Sequence, residues 1–304
     1  MFRARAFADE GDLRQMQAVV SACWRAEGPS ARFHVGDLAW WFYQHTGRQD
    51  EWRIRLWESG DGEPAGWAWL DLPGQAELLV RPEHRAELIP VVVGWLLEQS
   101  ASAGADQLSV GVVDARHPTT DALVACGFRP SDEPGLDAMT RSLEGGISPS
   151  GVPGGYQVRH IRGAADLANR VAVHRAAFSV RRPSRVSMQS YRNVMSAWPY
   201  RPELDWVVEA PDGRFVSSCL IWLDEENRVG ELEPVGTDPA FWRMGLATAV
   251  CRAALHALQQ HGADTAIVYS AEVAGMPSSP ALYRRLGFET QTRHATLLRS
   301  TSGT

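Results

Sequence analysis

Glu231-Leu-Glu-Pro-Val-Gly-Thr-Asp-Pro239, running on into Ala240-Phe-Trp-Arg-Met-Gly-Leu-Ala247, is the stretch from which the fold is read. Its first residues have the pattern of a strand, and Pro, Gly, Thr and Asp then mark a turn. The loop around Gly245 leads into a helical pattern that continues to about Gln260. A loop in that position sets several backbone N–H groups at a helix N-terminus, a ready site for a pyrophosphate. Further on, Ala281-Leu-Tyr-Arg-Arg-Leu-Gly-Phe288 reads as a short helix closed by a turn glycine.

A chain of 304 residues has room for two domains, each with its own core. With 44% hydrophobic and 22% charged residues the composition is that of a folded, soluble protein. A net charge of -6 and a pI near 5.9 argue against a general attraction to nucleic acid or to anionic membrane. Cys23, Cys126, Cys219 and Cys251 are scattered without a C-x-x-C pair, which predicts reduced, buried thiols and neither disulfides nor a zinc site. The first residues lack the apolar core of a signal peptide, and the apolar run Leu88–Leu97 is too short to span a bilayer. A cytoplasmic protein is expected.

The two halves echo each other across Gly145-Gly-Ile-Ser-Pro-Ser-Gly-Val-Pro-Gly-Gly155, a linker by composition. Arg3-Ala-Arg-Ala-Phe7 then Asp12-Leu has its counterpart in Val158-Arg-His-Ile-Arg162 then Asp166-Leu. Gly104-Ala-Asp106 opens one strand and Gly262-Ala-Asp264 another, and Gly127-Phe128 matches Gly287-Phe288 at nearly the same separation. Repetition on this scale signals a duplicated domain. Each half carries antiparallel strand signals (Trp52–Trp57, Ala65–Leu70, Glu77–Val80; Trp206–Glu209, Phe215–Leu223, Val229–Val235) and then a long helix (Ile89–Ala101; Leu246–Gln260). The expected class is α+β, two tandem domains, each a mixed, mostly antiparallel sheet flanked by helices, at 1–144 and 156–304 with the linker at 145–155.

Together these segments resemble the GCN5-related N-acetyltransferase (GNAT) superfamily, in the tandem layout of the mycothiol synthases. The superfamily signature is Arg/Gln-x-x-Gly-x-Gly/Ala, preceded by a proline. Here Pro239 and Gly245 fix the alignment, with Ala247 at the small position and Trp242 where Arg or Gln is usual. Gly245 would let the backbone approach a pyrophosphate, and Ala247 leaves room in the first helical turn. The resemblance implies acetyl-CoA as co-substrate, held by Arg243 and the backbone of Met244, Gly245, Leu246, Ala247 and Thr248. Val235 and Thr237 would pair with the pantetheine amides like an added strand. In Ala274-Gly-Met-Pro-Ser-Ser-Pro280, Met276 replaces the customary asparagine and Ser279 keeps the small polar position.

The chemistry needs a base for the acceptor ammonium and an acid for the departing thiolate. Tyr283 stands where the superfamily places its tyrosine acid. Tandem members share a Gly-Glu-x-x-x-Val-Gly-x-Asp-Pro segment whose glutamate corresponds to Glu231, the first choice of base. Glu233 is the second choice, since Glu231, Glu233 and Val235 share a face by alternation. Pro234 interrupts the ladder, and the resemblance implies a bulge there, near the acetyl group.

In the first half the aligned stretch is Val80-Arg-Pro-Glu-His-Arg-Ala-Glu-Leu-Ile-Pro90. Arg85 keeps the first signature position, but Leu88 replaces the glycine and Pro90 the small residue, so this half reads as a degenerate repeat whose Leu88 fills the pyrophosphate space. Eight of the 12 tryptophans precede the linker, and Trp40-Trp41-Phe42-Tyr43 reads first as core packing, second as an acceptor pocket. No metal-ligand spacing is present, and no metal is expected. His174 and His294 are possible borders of the acceptor site. The expected partner is a small-molecule or peptide amine, with neither nucleic acid nor membrane, in a monomer or homodimer. The alternatives are a longer acyl donor, or an acyl-CoA-binding protein that has lost turnover.

Overall fold

The computed structural model describes residues 2–114, 116–148, 150–180, 182–273 and 277–302; Met276 lies outside them. The strands are β1 (Arg3–Ala6), β2 (Trp52–Glu58), β3 (Pro64–Asp71), β4 (Gln75–Val80), β5 (Gln107–Val112), β6 (Arg129–Pro130), β7 (Asp137–Ser142), β8 (Gln157–His160), β9 (Asp205–Glu209), β10 (Phe215–Asp224), β11 (Val229–Thr237), β12 (Thr265–Ser270), β13 (Glu289–Arg293) and β14 (Ala295–Ser300). The helices are α1 (Glu10–Glu27), α2 (Val35–Gln44), α3 (Arg85–Ser102), α4 (Pro118–Ala125), α5 (Leu167–Phe178), α6 (Met188–Ser196), α7 (Leu246–Gln260) and α8 (Ser279–Arg285).

Two seven-stranded sheets form, in the orders β1-β2-β3-β4-β5-β14-β6 and β8-β9-β10-β11-β12-β7-β13. The duplication read from the sequence is therefore real, with one exchange. The last strand of each half, β7 or β14, lies in the sheet of the other half, between the fifth and sixth strands. The compact units interleave accordingly: Met1–His34, Gly47–Ala138 and Gln291–Thr304 form one, Val35–Thr46 and Met139–Thr290 the other. They do not divide at the expected linker. Ile147, within that linker, is buried in the second unit's core, and the Gln259 side chain donates to the carbonyls of Leu143 and Gly145.

In the second unit, β10 is buried along its whole length, as suits a central strand covered on both faces. On one face, Leu246, Val250, Ala254 and Leu258 of α7 recur at helical spacing and pack on Cys219, Ile221 and Leu223. On the other, Trp40 of α2, Leu167 and Val171 of α5 and Tyr191 of α6 close over Leu220 and Trp222. Helix α2 belongs here, although it comes from early in the chain, because its aromatic face completes this layer. Trp40 is core, as the first reading of that aromatic run expects. Within the same layer Arg170 donates to Asp205 at 2.7 Å, and Asp205 also accepts from the hydroxyls of Tyr191 (2.7 Å) and Tyr200 (3.2 Å).

In the first unit, Leu88, Ile89, Val92 and Leu96 of α3 pack on Leu78, Val80, Leu108 and Val110. Among the described residues no helix is long and apolar enough to cross a membrane.

Candidate active site

Strand β11 ends its pairing with the parallel strand β12 at Glu231↔Ile267. Against β10, the pairs Ile221↔Leu232 and Cys219↔Val235 leave one extra residue on β11, around Glu233 and Pro234. This is the expected bulge. It also reverses the alternation beyond it, because one inserted residue turns every later side chain to the opposite face. Glu231 and Glu233 face α2, whereas Val235 packs with the α7-side core, a correction to the shared face predicted for all three.

The bulge leaves a usable backbone edge. Ser217 Oγ donates to the Gly236 carbonyl at 3.3 Å, and the Asp238 N–H donates to the Val216 carbonyl at 2.9 Å, so these two residues turn toward β10. By alternation Val235 and Thr237 turn their backbone groups to the far edge, where β12 has diverged. One of these groups is already taken, since the Trp242 indole N–H donates to the Thr237 carbonyl at 3.0 Å. Trp242, which departs from the signature, thereby ties the loop to the end of β11.

Beyond Trp242 the loop bends sharply. Arg243 has φ 64, unusual for a residue with a side chain, and Gly245 has φ 80 and caps α7. A Cβ on Gly245 would meet nothing within 4 Å. No side chain caps this helix end and no acidic residue lies in its first turn, so its N–H groups and partial positive charge face outward. Arg243, Met244 and Gly245 are exposed, Ala247 and Thr248 half-buried, and Leu246 is a core residue whose N–H alone could serve a ligand. Among the described residues no carboxylate pairs with Arg243.

The two glutamates meet a third carboxyl that sequence reading missed. Side-chain oxygens of Asp37, Glu231 and Glu233 all lie within 4.8 Å of one another, a spacing that could also ligate a cation. Asp37 is 4% exposed and Glu231 0%, while Glu233 is half-buried. Burial, then the charge and hydrogen bond of Asp37, push the Glu231 carboxyl well above the usual range. Burial, then the charges of Glu231 and Asp37, do the same to Glu233. The only signal for Asp37 was an acid in the otherwise apolar run Val35-Gly-Asp-Leu-Ala-Trp-Trp-Phe-Tyr43.

Tyr283 lies on α8, buried and edge-on to Phe288 with centroids 5.6 Å apart. Burial first, then Cys251, Cys219 and Glu233, hold its phenol well above the ordinary value, so it keeps its proton. Ser279, which keeps the small polar position of the resemblance, donates to the Ala271 carbonyl at 3.0 Å and lies 2.8 Å from the Ser270 hydroxyl, which leaves it one acceptor lone pair. His174 is stacked on Phe178 at 4.6 Å and met edge-on by Trp40 at 5.3 Å. Burial and Arg170 push it down to about 3, so it is neutral. His294 belongs to the first unit, where Arg32 Nη1 lies 2.7 Å from its Nδ1.

The corresponding region of the first unit is built differently. Helix α3 begins at Arg85, the position aligned with Trp242, so the residues that form the loop in the second unit are helical here. Leu88 is fully buried in the core. It is the winding of this turn, rather than the expected intrusion of Leu88, that leaves the first unit without such a loop. Arg85 Nη2 binds Glu27 at 2.8 Å. Hydrogen bonds from His117 and Arg85 outweigh burial and bring Glu27 down to about 2. A cavity of about 540 Å³ lies beside this pair, bounded by Pro82, Ala86, Pro118 and Ala122. Beside β4, Arg32 Nη2 sits 3.1 Å from both Glu77 oxygens, where it would meet any Cβ placed on Gly111.

Residues 174–288 match the acetyltransferase (GNAT) family. The chain is 31% identical over 266 residues to the mycothiol acetyltransferase of Kineococcus radiotolerans, covering 82% of this chain and 81% of that protein. It is 27% identical to the mycothiol acetyltransferase of Streptomyces griseus, covering 93% and 90%. Among solved structures, a tandem GNAT protein from the clavulanic acid biosynthesis pathway superposes with a TM-score of 0.70 at 16% identity, covering 100% of both chains. A GCN5-related N-acetyltransferase from Sphaerobacter thermophilus gives 0.64 at 21% identity, covering 99% and 96%. The protein is an acyl-transferring enzyme. It belongs to the GNAT acetyltransferase family and has the tandem-domain fold.

Proposed function

We propose that the second unit performs the reaction, moving the acetyl group of acetyl-CoA to the amine of an acceptor related to mycothiol. The observation that carries this reading is the convergence on β11 of three features: an open backbone edge, a carboxyl cluster beside it, and an uncapped, glycine-led helix N-terminus at its end. The pyrophosphate would sit on the N–H groups of Met244 to Thr248 with Arg243 beside it. The pantetheine arm would pair with Val235 and the Thr237 N–H. The acceptor class is supported by the relatives' name and their similarity over most of the chain.

The acceptor arrives as an ammonium. Its proton passes to the carboxyl cluster at Glu233, the half-buried member, and Glu231 behind it shares that proton. The freed amine attacks the thioester carbon, forming C–N as C–S breaks. Tyr283 gives its proton to the thiolate and regains one from the amide nitrogen, so one proton in total returns to solvent. No covalent enzyme intermediate is needed. The buried Cys219 thiol, pushed up by burial and by its hydrogen bond with Cys251, is a poor nucleophile. Charge balance and free cysteines support a cytoplasmic enzyme without nucleic-acid partners.

The test is release of free CoA from acetyl-CoA in the presence of a panel of amines that includes the mycothiol precursor bearing a free amine. Glu233→Gln and Tyr283→Phe are each expected to lower kcat by at least about tenfold. If neither does, these roles are wrong. If acetyl-CoA binds but no amine is acetylated, the protein is a binder, and faster turnover of longer acyl-CoAs would change the donor.

A further inference from the structure

We propose that Asp37 is a positioning residue of the reaction centre, sharing a proton with Glu231 and Glu233 and thereby setting when the cluster can take the proton of an incoming ammonium. The inference rests on the functional reading above and adds a residue to it that lies far from β11 in sequence.

Its placement is built into the packing. A Cβ on Gly36 would fall 2.2 Å from Trp222 Cγ, so the glycine lets the start of α2 lie directly on that indole. Trp222 is the cross-strand partner of Glu231, and its Nε1 donates to the Glu233 carbonyl at 2.7 Å. Asp37, the next residue, is thus held over the two glutamates. Of the elements packed on β11, α2 brings Asp37, β10 brings the uncharged Trp222, and β12 brings Tyr269 to the same face, since the parallel register sets Glu231 beside Ile267. Helix α7 packs the opposite face, and Tyr283 of α8, which keeps its proton, belongs to that core. On α5, His174 is neutral, and Arg170 is committed to Asp205. Carboxyls so close cannot all ionise together, and they hold protons in common. An arriving ammonium supplies the compensating positive charge, so ionisation of the cluster is coupled to acceptor binding.

The experiment compares Asp37→Asn and Asp37→Glu with the wild type in two readouts. The first is a carboxyl-carbon NMR titration of the free protein, and the second is the pH profile of kcat/KM with acetyl-CoA and the acceptor. Asp37→Asn is expected to lower the Glu231 and Glu233 midpoints by about one pH unit or more. The acid limb of kcat/KM should move down with them while kcat at high pH falls, and Asp37→Glu should restore both. A uniform loss of activity with unchanged midpoints would make Asp37 a packing residue and overturn the proposal. So would a wild-type titration in which Asp37 ionises independently of the glutamates. If magnesium shifts the three carboxyl signals at neutral pH and Asp37→Asn abolishes that shift, the cluster is a cation site instead. Should the wild type acetylate no amine, the functional reading fails, while the titration still decides the role of Asp37.

Discussion

Replacing Gly245 with arginine separates folding from cofactor binding, because the structure assigns each a distinct cost. The residue has φ 80 and ψ 1, where an L side chain loses about 1–2 kcal/mol. No protein atom lies within 4 Å of its Cβ position, so little is added by clash. A loss of that size lowers Tm by about 2–8 °C in a unit this large. Binding should suffer far more. The new side chain would enter the space in front of the α7 N-terminus and displace the diphosphate from its N–H groups. Each hydrogen bond to a charged group is worth about 1.5–3 kcal/mol, so losing two weakens acetyl-CoA by about a hundredfold or more. Gly245→Ala should show the same Tm shift with a smaller change in affinity. Isothermal titration calorimetry with acetyl-CoA reads affinity and stoichiometry together, and a melt of each variant reads the folding term. The expected wild-type result is one site, because the first unit has helix where the second has its loop. The reasoning is refuted if Gly245→Arg binds within about threefold of wild type. Two wild-type sites would refute the assignment of binding to the second unit alone.

Gly36→Ala should overpack against Trp222 and cost about 1–3 kcal/mol, displacing Asp37; a melt and the kcat/KM profile check both effects. Glu231→Gln should slow turnover yet raise Tm at pH 8. A carboxyl whose folded pKa is raised stabilises the fold at low pH and loses that contribution as pH rises, so removing it relieves a cost at neutral and alkaline pH. His174 has the opposite sign. Its folded pKa, lowered from 6.5 to about 3, keeps it neutral while the unfolded chain takes up a proton. Stability is therefore intact above pH 6.5 and falls by about 1.4 kcal/mol per pH unit below it, and His174→Phe should flatten the acid side of a Tm–pH curve.

Local signals carried far along this chain. The duplication, the order of strands up to the long helix of each half, the turn at Gly245, the break at Pro234, α7 ending at Gln260 and the acids on β11 were all legible. Each depends on residues adjacent in sequence or on a repeating period, and backbone preference acts over that range. Three features were not legible. The exchange of β7 and β14 between sheets depends on which distant edge each strand pairs with, and the same alternating pattern satisfies either sheet. The reversal of Val235 relative to Glu233 follows from pairing register against β10, which one strand's sequence does not specify. Asp37 joined the glutamates only because the missing side chain at Gly36 lets α2 close on Trp222. The sequence alone thus determined the type of fold, the glycine-led loop before α7 and the candidate glutamates. Tertiary packing decided which carboxyls share one buried space, because burial and mutual charge, which set their protonation, exist only once distant segments meet.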